Sequence, residues 1–280
     1  MVIDAHQHFW KFDPVRHDWI DETMQAIRRD FLPADLKPLL DNHEIDGCVT
    51  VQVDQTEDET LYMLKLADNF SFIKSVVGWI DLRSENISER LGFFSEFEKL
   101  TGFRHILQAE EPGRMLEPDF LRGIDALKRF NFTYDILIYP EHLDAAIELV
   151  RKFPEQKFVI DHMAKPKIRN RSFEPWASKM AEIAEFDHVW CKVSGLITEA
   201  DWNDWTPGQL IPYLDHVFGI FGTKRLMYGS DWPVCLLAGK YKQVYSAISD
   251  YLDGFTYTEK QDVLGNNAIR FYGIDQGSDN

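Results

Sequence analysis

The sequence predicts an α/β fold, a single-domain (β/α)8 TIM barrel over residues 1–280. Three observations predict it. Eight short β-rich runs recur at an average of about 32 residues, the length of a strand plus a returning helix. Amphipathic helical patterns fill the intervals. The first run ends in His6-Gln7-His8 with no glycine before Gly47, so the glycine-rich turn usual in an open doubly wound sheet is missing.

The β-rich runs are 2–6, 47–53, 73–80, 103–107, 132–138, 157–162, 188–193 and 225–229. Between them, 119–130 places Leu121, Ile124 and Leu127 on one stripe. The segment 142–153 does the same with Leu143, Ile147, Val150 and Phe153, and keeps Glu148, Arg151 and Lys152 elsewhere. Thr258-Glu259-Lys260-Gln261 has the form of a capping box and predicts a last helix running through Val263 and Leu264. No low-complexity tract or Pro/Ser-rich linker divides the chain. Its 280 residues suit one barrel.

Composition narrows the class. A hydrophobic content of 45% is ordinary for a globular core. No apolar run approaches the roughly 18 residues of a membrane span. The start, Met1-Val2-Ile3-Asp4, lacks both a basic region and a long apolar stretch, so the expectation is a cytoplasmic protein without a signal peptide. Cys48, Cys191 and Cys235 are too few and too dispersed for a disulfide framework or a zinc ribbon, and are read as reduced packing residues. A net charge of −16 repels phosphate backbones, which argues against a nucleic-acid partner and leaves a small molecule as the expected one. A homo-oligomer is left open.

Three connections are long: 9–31, 164–175 and 196–207. Each follows the C-terminal end of a predicted strand, the face where barrel active sites sit. They carry Trp10, Trp19, Trp176, Trp202 and Trp205, which either wall a pocket or pack the loops onto the rim.

The chemistry concentrates at strand ends. In Asp4-Ala5-His6-Gln7-His8, alternation points His6 and His8 the same way, able to bind a metal or a substrate carbonyl. A His-x-His alone also arises as two satisfied rim histidines. The sixth run ends in Asp161-His162-Met163-Ala164-Lys165-Pro166, and the eighth in Gly229-Ser230-Asp231-Trp232-Pro233. An acid at the end of a buried strand is costly unless it is paired or used.

These motifs together resemble the amidohydrolase superfamily, within it the branch of sugar lactonases (L-fuconolactone and L-rhamnonolactone hydrolases) and 2-pyrone-4,6-dicarboxylate lactonase. Lys192-Val193-Ser194-Gly195-Leu196, Gly102-Phe103-Arg104-His105 and Asn267-Ala268-x-Arg270-x-Tyr272 extend the likeness over essentially the whole chain. The resemblance implies a hydrolase that opens a small lactone. It implies Asp231 as the base that activates water and returns the proton to the leaving oxygen, with His6, His8 and His162 donating to the carbonyl oxygen. Arg104 and Lys192 are the candidate positive groups for substrate, and Gln52, Trp79 and Tyr134 are weaker substrate-contact candidates. The predicted fifth strand has no histidine and the fourth no lysine, so a two-metal site is not expected. The expectation is no required cofactor, or a single zinc or manganese on His6, His8 and Asp231. The alternatives are a metal-dependent decarboxylase of the same superfamily, a phosphoesterase or nuclease, and a non-catalytic sugar-binding barrel.

Overall fold

The computed structural model describes residues 1–275, so 276–280 of the predicted domain lie outside the described residues. Eight strands form one sheet in chain order: β1 (Ile3–Gln7), β2 (Gly47–Val51), β3 (Ile73–Gly78), β4 (Leu100–His105), β5 (Thr133–Ile136), β6 (Phe158–Ile160), β7 (Val189–Val193) and β8 (Leu226–Tyr228). Every neighbouring pair is parallel. The sheet closes on itself where Gln7 bridges Trp232 and the His8 amide donates to the Trp232 carbonyl at 2.7 Å.

Among the described residues, ten α-helices accompany this barrel: α1 (Pro33–Asp41), α2 (Glu57–Asn69), α3 (Ile87–Phe94), α4 (Pro118–Arg129), α5 (Leu143–Lys152), α6 (Trp176–Ala184), α7 (Pro207–Phe221), α8 (Tyr241–Tyr251), α9 (Tyr257–Gln261) and α10 (Asn267–Tyr272). Each expected β-rich run holds one strand. The largest shift is at β4, which starts at Leu100, three residues early. Helix α5 buries Leu143, Ile147 and Val150 as its stripe requires. Helix α4 buries Ile124 and Leu127 but leaves Leu121 half-buried and uses Phe120 instead.

The last helix differs from expectation. The capping residue is Thr256, not Thr258: its hydroxyl accepts from the Glu259 amide, and the Glu259 carboxylate accepts from the Thr256 amide at 2.9 Å. The helical run does pass through Val263 and Leu264, but not as a plain α-helix. A π-helical turn, Asp262–Asn266, separates α9 from α10.

The core has two parts. Between sheet and helices lies the larger apolar layer, which includes the free, buried Cys48, Cys191 and Cys235. Inside the ring, Ile3, Ala5, Val49, Val51, Val77, Val159 and Met227 pack against Ala268, Ile269, Phe271 and Tyr272 of α10. Helix α10 thus floors the barrel, and the opposite end of the strands is the mouth. Among the described residues, no helix is long and apolar enough to cross a membrane.

Candidate active site

Simple alternation would put Asp4, His6 and His8 on one face of β1. The register with β2 shifts between Asp4 and Gln7, and this bulge separates them. Asp4 faces the helices, where its carboxylate accepts from the Ser230 amide at 2.8 Å and the Tyr241 hydroxyl at 2.9 Å. Burial pushes its pKa up to about 6, against these hydrogen bonds. His6 and His8 turn into the mouth, with ring centroids 4.9 Å apart, and His6 lies 4.3 Å from His162.

Strand β8 delivers the carboxylate. A Cβ on Gly229 would lie 2.6 Å from the His6 Cβ, so only glycine lets the chain pass this close. Asp231 follows with φ +56°, its amide donating to the His6 carbonyl at 2.8 Å. Its Oδ1 lies 3.4 Å from His8 Nε2 and 3.9 Å from both His6 Nε2 and His162 Nε2. One buried carboxylate therefore sits among three imidazoles.

His162 arrives by an unusual route. Residues 162–165 are all left-handed, with φ of +53°, +54°, +55° and +50°. None is glycine, and such a conformation costs roughly 1–2 kcal/mol per residue. The Lys165 amide donates to the His162 carbonyl at 2.8 Å, and Trp176 Nε1 donates to the Met163 carbonyl at 2.7 Å, which pins the turn. The His162 ring packs on Gly195, which has φ +65° and whose added Cβ would lie 2.7 Å from Nδ1. Gly195→Ala is therefore expected to lower stability by about 1–3 kcal/mol through both strain and collision. Thermal denaturation checks this, and a melting temperature equal to wild type would refute the packing described.

The protonation states follow from burial. It lowers the pKa of His6 and His8, and takes His162 down to about 4, so all three are neutral near pH 7. Burial opposes ionisation of Asp231, yet the surrounding His162, His8 and Lys165 groups outweigh it and hold Asp231 below the usual carboxylate range. His8 Nδ1 lies 2.7 Å from the Val51 carbonyl oxygen, so Nδ1 carries the proton. The Nε2 of His8 is the atom turned to Asp231, and on the neutral ring it carries no proton. His162 Nδ1 lies 2.8 Å from the Ser194 hydroxyl. With that hydroxyl donating, Nε2–H of His162 points to the mouth.

A charged layer lies beneath. Lys192 Nζ reaches Asp135 at 2.5 Å, Asp161 at 3.0 Å and His6 Nδ1 at 3.2 Å, and the Tyr272 hydroxyl donates to Asp135 at 2.8 Å. Arg104 donates to Asp161 at 3.0 Å, lies 3.2 Å from His6 Nε2, and binds both the carbonyl and side chain of Gln52. Burial opposes ionisation of Asp161, but Lys192 and the other cations hold it well below the usual range, whereas burial prevails at Asp135 and raises it to about 6.

Above this layer opens a cavity of roughly 370 Å3, lined by His8, His162, Asp231 and Arg104. His6 lies just behind, fully buried. Of the five substrate-contact candidates, only Arg104 lines the cavity. Lys192 is buried below with its donors spent on Asp135 and Asp161. Gln52 is buried as a brace for Arg104. Trp79 Nε1 is turned to His105 Nδ1 at 3.2 Å. Tyr134 points outward between Phe120 and Phe158, because its neighbour Asp135 takes the inward position.

The structure also separates the tryptophans. Trp10, Trp176, Trp202 and Trp205 each tie Nε1 to a backbone carbonyl, while Trp19, 38% exposed, walls the cavity. Arg16, Asp18, Gln55, Gln108 and Lys165 join it as lining residues that sequence reasoning did not assign to substrate. The length of the 9–31 loop was the available signal for the first two.

The donor set fits a single divalent metal. Ligand atoms of His6, His8 and Asp231 lie within 4.8 Å of one another. His8 gives its second N–H to a carbonyl, and His6 Nδ1 lies 3.3 Å from Asp161, the outer contacts that orient metal-bound imidazoles.

Known proteins resemble this chain over nearly its whole length. The amidohydrolase family matches residues 3–274. The chain is 35% identical over 289 residues to an L-fucono-1,5-lactonase of Burkholderia multivorans, covering 99% of this chain and 97% of that one. It is 38% identical over 283 residues to an L-fucono-1,5-lactonase of Burkholderia ambifaria, with the same two coverages of 99% and 97%. A crystal structure of an amidohydrolase from Burkholderia multivorans with bound zinc superposes with a TM-score of 0.94 at 35% identity, covering 98% of this chain and 100% of that one. Matched over nearly its full length, this chain belongs to the amidohydrolase family.

Proposed function

We propose that this protein hydrolyses a small lactone, an aldonolactone, with Asp231 as the general base. The observation that carries the reading is a buried carboxylate held among three imidazoles at the floor of a small cavity. The relatives named L-fucono-1,5-lactonase support the substrate class.

Opening a lactone requires an activated water, a polarised carbonyl and a proton for the departing ring oxygen. Asp231 removes a proton from water as its oxygen bonds to the carbonyl carbon. His162 Nε2–H and the Arg104 guanidinium face the cavity and stabilise the negative charge on the carbonyl oxygen. Collapse breaks the ring C–O bond, and the Asp231 carboxyl returns its proton to the ring oxygen. His6 acts through its neighbours: Asp161 and Lys192 fix its ring, and it keeps Arg104 in place.

A divalent metal, when bound, would be held by His6, His8 and Asp231 and would supply Lewis-acid polarisation. Loading with zinc and dialysis is expected to leave one zinc per chain by elemental analysis, and His8→Ala to reduce this strongly. A wild-type chain left free of zinc would refute the donor set as a metal site.

The function is tested by acid release from a panel of aldonolactones, followed with a pH indicator, with and without chelator. Turnover of at least one lactone is the expected result. Acid release from none of them would end the lactonase reading, and carbon dioxide release from aromatic acids would mark a decarboxylase instead.

A further inference from the structure

The left-handed turn after β6 places more than His162. One turn of helix brings residues three apart to the same side. Lys165 therefore returns to the cavity wall beside His162, while Met163 and Ala164 between them are buried in the core. Its charge acts on both the His162 ring and the Asp231 carboxylate.

Three long-chain cations line the cavity, and they differ in what occupies them. Arg104 has both amino groups engaged by Asp161 and Gln52. Arg16 is exposed at the rim. Lys165 is 18% exposed at its side chain, and among the described residues its Nζ makes no hydrogen bond. It is steered by Glu199, 3.8 Å away, and by the Tyr139 ring, whose centre is 5.4 Å away. A mostly buried ammonium with three N–H donors thus lines the cavity, with the Glu199 carboxylate at 3.8 Å, beyond hydrogen-bond reach.

An ester carbon carries two oxygens, one in the carbonyl and one in the ring. Two donors on one face of one turn match that pair. We propose that Lys165 donates a hydrogen bond to the ring oxygen of the lactone and stabilises it as the C–O bond breaks. This role rests on the lactonase reading. When the tetrahedral intermediate collapses, the C–O electron pair moves to the ring oxygen, which is hydrogen-bonded to Lys165. The proton that Asp231 took from water completes the new hydroxyl. Lys165 and Asp231 both end in their starting forms.

The test compares an aldono-1,5-lactone with the corresponding thiolactone, which differs in the single leaving atom and departs as a thiolate that needs little help. Lys165→Met is expected to lower kcat on the oxygen lactone about 100-fold, the effect of one lost donor, and on the thiolactone less than about 5-fold. Lys165→Arg is expected to recover part of the oxygen-lactone rate. The thiolactone rate also reports that the variant is folded. Equal losses on both substrates, or no loss on either, would overturn the role. A wild type active on the lactone and inert on the thiolactone would overturn it too, because the better leaving group should need less. A wild type inert on both would remove the lactonase reading itself, and this role with it.

Discussion

Asp231→Asn is expected to lower kcat on the aldonolactone by about 10²–10⁴-fold, the range for loss of a positioned general base. The substitution isolates the chemistry from the fold. Asp231 has φ +56°, and asparagine tolerates the left-handed region as readily as aspartate does. Volume is unchanged. The backbone amide at 231 still donates to the His6 carbonyl. What disappears is the negative charge 3.4 Å from His8 Nε2, and with it the proposed acceptor of a proton from water. Circular dichroism and the melting temperature are expected to match wild type while turnover collapses. A variant that keeps more than about a tenth of the wild-type rate would remove Asp231 from the role of base.

Lys192→Met is expected to produce the largest loss of stability. Lys192 and its partners Asp135 and Asp161 are fully buried in the barrel. Removing one member of a buried ion pair strands the others and costs about 3–5 kcal/mol. Asp135, already raised to about 6, is the group best able to shed its charge by taking up a proton, which places the loss near the lower end. A loss of about 3 kcal/mol corresponds to a fall of roughly 6–12 °C in melting temperature. Adding Asp135→Asn to Lys192→Met is expected to recover much of it, because the uncompensated charge goes with the aspartate. A single variant melting within about 1 °C of wild type would show that this layer does not hold the barrel together.

The architecture was readable because a β/α repeat sets its own spacing. Strand ends moved where pairing, rather than composition, decides where a strand begins, as at Leu100. The site was readable in its residue types and less so in their directions. In β5 every residue is buried, so burial pattern could not choose between Tyr134 and Asp135 as the inward one. The choice falls to Lys192, on another strand. His6 and His8 do share the mouth, yet the bulge in β1, invisible in composition, is what parts them from Asp4. The tautomer of His8 is set by the carbonyl of Val51, 43 residues away. Nothing in His162-Met163-Ala164-Lys165 announces a left-handed turn, since no glycine stands there.

The ring closes where Gln7 meets Trp232, and Asp231 hangs its amide on His6 at that same seam. The mouth is thus joined across the first and last strands of the described barrel. A nascent chain that has not yet made β8 holds its imidazoles without their carboxylate. The constellation therefore exists only once the ring has closed, and whatever opens that seam takes the carboxylate away from the imidazoles.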